Sequence, residues 1–377
     1  MELEGWMKKA LQQRSEKGTL RNLSVSENKI DFVSNDYLGL AQSEKLYQLI
    51  EEKYKQLQLH RNGSTGSRLL AGNSALADEI EFYLAKKIFK SEKALLFNSG
   101  YTANLAVLSC IPQKGDVIFY DELVHACMHD GAKLSKADRI SFKHNDLIDL
   151  ESKFDKHIGS KFIAVESIYS MDGDQCPLVE LVALAKKYNA VIILDEAHST
   201  GSYGGNGSGL ACTLGVASQI DIRIYTFGKA IGVHGACVAG SEVLTHYLIN
   251  FARPFIYTTA PTPHSLISIQ CAFEFLQQEI SLQQKLKSNI NYFLGQFEKV
   301  KLKKLPSNSA IQSILIKGND EVKMLDGALQ NAGLDCRAIR SPTVKAGAER
   351  IRICLHAYNT TEEIDKLIFT LKEFSKS

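Results

Sequence analysis

Five short apolar segments, spread through the middle of the chain, most constrain its fold. They occupy residues 94–97, 116–120, 161–165, 190–194 and 222–226. Runs of about five residues without polar alternation are typical of strands buried on both faces, as in parallel sheets that helices cover. Amphipathic stretches such as 178–188 separate the runs. The pattern therefore predicts an α/β fold with a mainly parallel sheet.

The segments on either side of this region have a different character. Residues 1–34 are polar and helix-prone and predict an N-terminal arm, followed by a large α/β domain over 35–265. Beyond two closely spaced prolines the pattern predicts helices over 265–297, 321–332 and 360–374 and strands over 311–316 and 349–355. The last helix begins with a T-x-x-E capping box at Thr360 and Glu363. Residues 266–377 are therefore predicted to form a smaller α+β domain.

Charge and cysteine content exclude several classes of protein. The 377 residues carry 44 basic and 42 acidic side chains without a basic block, which argues against a nucleic-acid partner. The eight cysteines form no C-x-x-C pair, so they predict reduced thiols and a cytoplasmic protein. The sequence begins without the apolar stretch of a signal peptide and contains no run long enough to span a membrane, so no membrane partner is expected.

Reactive side chains follow the apolar runs, where parallel α/β sheets bind their ligands. Lys229 comes just after the run at 222–226, and a partly desolvated lysine there would be a nucleophile for carbonyl compounds. Asp195 ends another run and needs a partner if it is buried; His198 follows three residues later. Read alone, each residue has an ordinary alternative: a surface lysine, or an aspartate that caps a helix.

Three further patterns fall at the same edge of the predicted sheet. The turn at 98–102 leads into a helical stretch and is suited to a phosphate, although a plain strand–helix turn looks the same. His125 and His129 stand four residues apart, but no further ligands follow at metal spacing, so no metal is predicted. The D-E-A-H sequence at 195–198 also occurs in helicases, but a Walker A loop is missing.

These residues together resemble the α-oxoamine synthases, which are pyridoxal-phosphate (PLP) enzymes of fold type I, the aspartate-aminotransferase-like fold. The resemblance covers about residues 30–375. It rests on six motifs in order: S-N-D-Y-L-G-L at 34–40, G-S-R at 66–68 with G-N at 72–73, F-N-S-G-Y-T-A-N at 97–104, S-M-D-G-D at 170–174, D-E-A-H-S-T-G at 195–201 and T-F-G-K at 226–229. It implies PLP as the cofactor and a homodimer with shared active sites.

The resemblance also implies a role for each matching residue. Lys229 would hold PLP as a Schiff base, Asp195 would keep its pyridine nitrogen protonated, and His198 would bond its phenolic oxygen. His125 would stack on the ring and help to place the substrate. Further cofactor contacts are implied at Gly100, Tyr101, Glu166, Ser170 and Thr226, with Thr258 or Thr259 reaching the phosphate across the dimer interface. Asn35 and Arg352 would clamp the amino-acid carboxylate, and Arg21 and Thr343 would contact the acyl substrate.

Within the family, the stretch 337–352 most resembles enzymes of biotin biosynthesis. These join L-alanine to a pimeloyl thioester, carried by CoA or a carrier protein, and release CO2 and the thiol. The alternative is a sister synthase of the glycine C-acetyltransferase or serine palmitoyltransferase type. Two more distant alternatives are a non-catalytic regulator with the PLP fold and a metal-dependent hydrolase built on Asp121, His125 and His129.

Overall fold

The structure is a computed structural model that describes residues 3–17, 19–23, 28–58, 61–341 and 343–376. Parts of the predicted arm therefore lie outside the described residues. The strands in chain order are β1 (Ile30–Asp31), β2 (Lys93–Phe97), β3 (Val117–Asp121), β4 (Asp138–Phe142), β5 (Lys161–Glu166), β6 (Val191–Asp195), β7 (Ile222–Thr226), β8 (Ala236–Gly240), β9 (Lys303–Lys304), β10 (Ile311–Leu315), β11 (Leu334–Asp335), β12 (Arg337–Ile339) and β13 (Arg350–Cys354).

Helices cover and connect these strands. They are α1 (Leu3–Glu16), α2 (Glu44–Gln56), α3 (Ala75–Tyr83), α4 (Gly100–Cys110), α5 (Ala126–Leu134), α6 (Leu147–Phe154), α7 (Leu178–Lys187), α8 (Leu210–Thr213), α9 (Glu242–Phe251), α10 (Arg253–Ile256), α11 (Pro263–Gln278), α12 (Ser281–Phe297), α13 (Asn319–Asn331) and α14 (Thr361–Phe374). Thr360 and Glu363 form the predicted capping box of α14.

A seven-stranded sheet in the order β2-β8-β7-β6-β5-β3-β4 forms the centre of the large α/β region. Strands β3 to β7 run parallel, whereas β8 pairs antiparallel with both β2 and β7. The prediction of a mainly parallel sheet is confirmed. Strands β4 and β8 were not predicted, because β4 is a polar edge strand and β8 is a run of small residues without strong β propensity.

The centre of this sheet is buried on both faces, as the apolar runs predicted. Phe119, Ile163 and Ile193, on three neighbouring strands, have no exposed surface. Complete burial of such side chains contributes on the order of 1.5–3 kcal/mol each to folding. The packed centre therefore gives a rigid support to the loops that follow the carboxyl ends of the strands.

A second, antiparallel sheet in the order β12-β13-β10-β9 lies in the C-terminal part. The N-terminal segment joins this part of the molecule, because β1 pairs in parallel with β11 and the Cys354 N–H donates to the Phe32 carbonyl (2.8 Å). Asn35, three residues beyond Phe32, is thereby brought towards Arg352 on β13. The proposed boundaries at residues 34 and 265 stay a prediction.

The single helix predicted over 265–297 is wrong, since the chain forms α11 and α12 with a break at Glu279 and Ile280. The two helices pack against different partners: α11 against α2 and α3, and α12 against α14. One straight helix could not reach both. In the part of the chain that the structure describes, no helix has the length and apolar character needed to cross a membrane.

Candidate active site

Three strands of the large sheet end in polar residues at one edge. Asp195 ends β6, Glu166 ends the neighbouring β5 directly opposite it, and Thr226 ends β7. All three side chains are buried. Burial and the charge of Asp195 raise the pKa of Glu166, because two carboxylates this close are costly to ionise together. A buried acidic pair at this edge indicates a site rather than ordinary packing.

Lys229 faces this edge and begins a chain of hydrogen bonds. Its Nζ lies 2.8 Å from Nε2 of His198, and Nδ1 of His198 lies 2.7 Å from the Tyr37 hydroxyl. The Tyr37 hydroxyl donates to Oδ1 of Asn35 (3.0 Å), and Nη2 of Arg352 donates to the same oxygen (3.0 Å). Lys229, His198, Asn35 and Arg352, predicted to share a site, are therefore joined through Tyr37.

The protonation states along this series of hydrogen bonds follow from Lys229 and Arg352 at its two ends. Burial and the charges of Lys229 and Arg352 hold the pKa of His198 well below its usual range, so the ring is neutral. Because the Tyr37 hydroxyl donates to Asn35, it accepts from Nδ1–H of His198, and Nε2 is left to accept from Lys229. Burial lowers the pKa of Lys229, although Asp195 and Glu166 oppose this, and so favours the neutral, nucleophilic amine.

Asp195 is held in place by two hydrogen-bond donors. Nδ2 of Asn104 on α4 donates to its Oδ2 (2.7 Å), and the Ala197 N–H donates to its Oδ1 (2.8 Å). Asn104 is fully buried, and its own Oδ1 has no hydrogen-bond partner among the described residues. Asn104 is the last residue of the F-N-S-G-Y-T-A-N motif, but the sequence predicted no role for it. The signal that could have found it is an asparagine on an otherwise apolar helix face beside Ala103 and Val107.

His125 lies at the start of α5, on the turn that follows β3. Its side chain is exposed, and its Nδ1 accepts from the Cys127 N–H (3.2 Å). Its own backbone N–H donates to Oε1 of Glu166 (2.6 Å), and Oε2 of Glu166 accepts from the Ser170 N–H (3.2 Å). Glu166 therefore fixes two neighbouring loops, those of His125 and Ser170, by their backbone.

The first turn of α4 presents free amides beside Thr226. Ser99 caps the helix and accepts from Thr102, which leaves the N–H groups of Gly100 and Tyr101 without intrahelical partners. A Cβ on Gly100 would lie 3.2 Å from Cβ of Thr226, so a larger residue here would crowd Thr226. Such a helix start is suited to an anion.

Thr258 and Thr259 lie beside the same turn. Nδ2 of Asn98 donates to Oγ1 of Thr258 (3.1 Å) and to the carbonyl of Thr259 (2.9 Å). The structure thus brings both threonines to the predicted phosphate end within one chain. Tyr101, another predicted contact, is exposed, and its hydroxyl donates to Asp130.

Arg352 lies on β13 of the C-terminal sheet, and its side chain reaches Ser170, which follows β5 of the large sheet. Its Nε donates to the Ser170 carbonyl (2.7 Å), and Nη1 contacts Sγ of Cys354 (3.0 Å). Together with the bond to Asn35, these contacts hold the guanidinium plane in one orientation. The two residues predicted to clamp a carboxylate, Asn35 and Arg352, are therefore direct neighbours.

Arg21 and Thr343 are brought together, but at another place. Both are exposed and line one cavity of about 200 Å³ with Arg14 and Arg340. The described lining of this cavity includes neither Lys229 nor Arg352. Three guanidinium groups around one cavity form a surface suited to carboxylate or phosphate groups.

The comparison with known proteins decides the family. The sequence model of the family "Aminotransferase class I and II" matches residues 27–371. The chain belongs to this family. The 8-amino-7-oxononanoate synthase of Emericella nidulans is 40% identical to it over 97% of this chain and 94% of the relative. The sequence-based resemblance to the α-oxoamine synthases is confirmed, and the chain is an acyl-transferring member of the family.

Two solved structures share the fold over nearly the whole chain. The 8-amino-7-oxononanoate synthase of Francisella tularensis superposes with a TM-score of 0.80, at 30% identity over 93% of this chain and 98% of that one. A serine palmitoyltransferase from S. paucimobilis, with bound PLP and myriocin, superposes with a TM-score of 0.89 at 26% identity, over 98% and 96%. The predicted aspartate-aminotransferase-like fold is confirmed.

Proposed function

We propose that this chain is a PLP-dependent 8-amino-7-oxononanoate synthase, which condenses L-alanine with a pimeloyl thioester in biotin biosynthesis. The observation that carries the proposal is the joint placement of a desolvated lysine amine, a fixed carboxylate and an arginine fork. Lys229, Asp195 and Arg352 supply these groups at one edge of the sheet. The 40% identity to a synthase of this name supports the same reaction.

The residues present fit PLP. Lys229 would hold its carbonyl carbon, Asp195 its ring nitrogen, and the free amides of Gly100 and Tyr101 its phosphate, with Thr226 beside them. His125, exposed at the start of α5, is free to cover the ring, and His198 and Ser170 would lie at its edge. When bound, PLP supplies an electron sink for negative charge at the amino-acid Cα. Asp195 would strengthen that sink, because a carboxylate fixed beside the pyridine nitrogen would favour its protonated form.

The side chains of this site can carry the proton movements of the reaction. Arg352 and Asn35 bind the alanine carboxylate, because a guanidinium fork pairs with a carboxylate through two parallel bonds. Lys229 would be the base that takes the Cα proton, since its lowered pKa favours the free amine. The Cα–acyl bond forms as the C–S bond breaks. The Cα–carboxyl bond then breaks to release CO2, and a proton returns to Cα.

The acyl thioester would approach from the arginine cavity. Arg14, Arg21 and Arg340 meet there with Thr343, and they suit a donor with a distal carboxylate or with phosphate groups. The resemblance assigned acyl contacts to Arg21 and Thr343 on sequence grounds. Their common cavity supports that assignment.

We also propose a homodimer with shared active sites. Leu70 and Tyr257 are 86% and 73% exposed, and Tyr257 directly precedes Thr258 and Thr259. Apolar side chains this exposed beside the phosphate end favour contact with a second copy of the chain, which would place Thr258 and Thr259 at the interface. Light scattering at micromolar concentration tests the dimer. The eight cysteines, all described, are free thiols, which supports a cytoplasmic location.

Carboxyl-labelled L-alanine tests the reaction. With a pimeloyl thioester, the label must leave as CO2, and the unlabelled product must keep the alanine nitrogen and methyl group. A product that retains the carboxyl label would contradict the proposal.

A sister synthase is the second candidate, because the serine palmitoyltransferase structure superposes with the higher TM-score, 0.89 against 0.80. The greater sequence identity to the 8-amino-7-oxononanoate synthases favours the first candidate.

A further inference from the structure

His144 lies outside the catalytic group, in the loop between β4 and α6, and joins two carboxylates. Its Nδ1 lies 2.9 Å from Oδ1 of Asp121, and its Nε2 lies 2.7 Å from Oδ2 of Asp174. Ionised carboxylates only accept, so both ring nitrogens carry protons and the ring is a cation. Burial lowers the pKa of His144, but the bonds to Asp121 and Asp174 outweigh it and raise the pKa to about 10.

The Asp121 end of this bridge fixes the turn that leads to His125. Asp121 ends β3 and is fully buried. Its two oxygens also accept from the N–H groups of Leu123 and Asn145, each at 2.8 Å. Four residues after Asp121, the His125 N–H reaches Glu166. The bridge therefore holds the turn that carries one catalytic residue.

The Asp174 end fixes residues 167–176, here called the arginine loop. The loop closes on itself through a bridge between Ile168 and Gln175 and through the Tyr169 N–H, which donates to the Asp174 carbonyl (3.0 Å). The Tyr169 ring meets the His144 ring edge-on, with centroids 4.4 Å apart. His144 thus contacts the loop at two places, one polar and one aromatic.

The arginine loop binds the C-terminal sheet on its other side. The Ser170 carbonyl accepts from Nε of Arg352 (2.7 Å), and Asp172 forms an ion pair with Arg350 on the same strand. Oγ of Ser313 on β10 donates to the Met171 carbonyl (2.5 Å). The position of the arginine loop therefore determines the orientation of the Arg352 guanidinium.

We propose that His144 is a positioning residue for amino-acid binding, which acts through the arginine loop on Arg352. Loss of the cation would remove the positive charge between Asp121 and Asp174 and leave Asn145, whose N–H donates to Asp121 and whose Nδ2 donates to Asp174 (each 2.8 Å), as a neutral link between them. The two carboxylates would then repel each other and move apart. The loop would shift, and the Ser170 carbonyl would no longer hold Arg352 in line with a substrate carboxylate. This inference rests on the proposed function, because it requires an amino-acid substrate at Arg352.

His144→Gln in the PLP-loaded enzyme tests the proposal, with His246→Gln on the exposed face of α9 as the matched control. Alanine is titrated without acyl donor and followed by the cofactor absorbance. We expect the alanine Kd to rise about tenfold, as for the loss of one charge-assisted bond, with kcat at saturating alanine and PLP retention changed less than about threefold. Asp174→Asn should act in the same direction, and it supplies the test if His144→Gln does not fold.

Amide hydrogen exchange of the cofactor-free protein gives a second readout. Residues 167–176 should exchange faster in His144→Gln, whereas α14 should not change. An alanine Kd within about twofold of wild type would overturn the proposal, as would equal losses of alanine affinity and PLP retention. If the wild-type enzyme itself does not respond to alanine, the proposed function fails, and the effect of the variant on the loop is still read from exchange.

Discussion

The amine of Lys229 lies 2.8 Å from Nε2 of His198. Through this contact Lys229 is connected to Arg352 on the C-terminal sheet. The connection passes through Tyr37 and Asn35, which come from the N-terminal segment. The site is thus assembled from three distant parts of the chain. Its chemistry depends on how each part is held.

Lys229→Ala should abolish covalent attachment of the cofactor. Borohydride reduction of the wild-type holoenzyme, followed by denaturation and peptide mass spectrometry, should place the PLP adduct on the peptide that contains Lys229. The variant should release all its PLP on denaturation and show no turnover, because it lacks both the attachment and the base. An adduct on another lysine would contradict the assignment. Lys285→Ala, on α12, serves as the control.

Asn104→Ala should impair catalysis without releasing the cofactor. The substitution removes the 2.7 Å bond to Asp195 and leaves one oxygen of a buried carboxylate without its donor. A hydrogen bond to a charged group contributes about 1.5–3 kcal/mol, so we expect kcat to fall roughly 10- to 100-fold. Asn250→Ala, on the exposed end of α9, should leave kcat unchanged. Steady-state kinetics measures kcat, and the absorbance spectrum shows whether the cofactor is retained. If kcat of Asn104→Ala equals that of the wild type, this role of Asn104 is refuted.

Arg352→Gln should act on the amino acid and not on the acyl donor. Its guanidinium is held by Ser170 and Asn35 in the position expected for a carboxylate clamp. We expect the KM for alanine to rise by about 10- to 100-fold, and the KM for the thioester to change less than about threefold. The half-exposed Arg337 provides the control, as Arg337→Gln. A rise confined to the KM for the thioester would contradict this assignment, because it would mean that Arg352 binds the acyl donor and not alanine.

The His144 bridge should make stability depend on pH in a defined direction. The pKa of His144 is raised to about 10 in the folded chain, against about 6.5 in an unfolded one. The bridge therefore stabilises fully below about pH 6.5, and its contribution falls as the pH rises towards 10. The difference in unfolding free energy between wild type and His144→Gln, from denaturant titrations at pH 6 and pH 9, should shrink at the higher pH. A difference that grows with pH would contradict the protonated bridge.

The sequence predicted most of the central sheet and the reacting groups, because both depend on local patterns. Five apolar runs became β2, β3, β5, β6 and β7, and the polar residues after them met at one edge. The break between α11 and α12 was missed because it depends on which helices they pack against. Tyr37, Asn104 and His144 received no role for a similar reason. Their partners lie 161, 91 and 30 residues away along the chain, and only the fold brings them into contact.

Thiol release by the purified, PLP-loaded enzyme tests the central claim most directly. L-alanine, glycine and L-serine are each paired with pimeloyl-, acetyl-, succinyl- and palmitoyl-CoA, and the free thiol is measured over time. The account predicts strong release only for L-alanine with pimeloyl-CoA. Strong release for glycine or serine with another acyl-CoA, and none for alanine with the pimeloyl thioester, would contradict it and identify a sister synthase on the same fold.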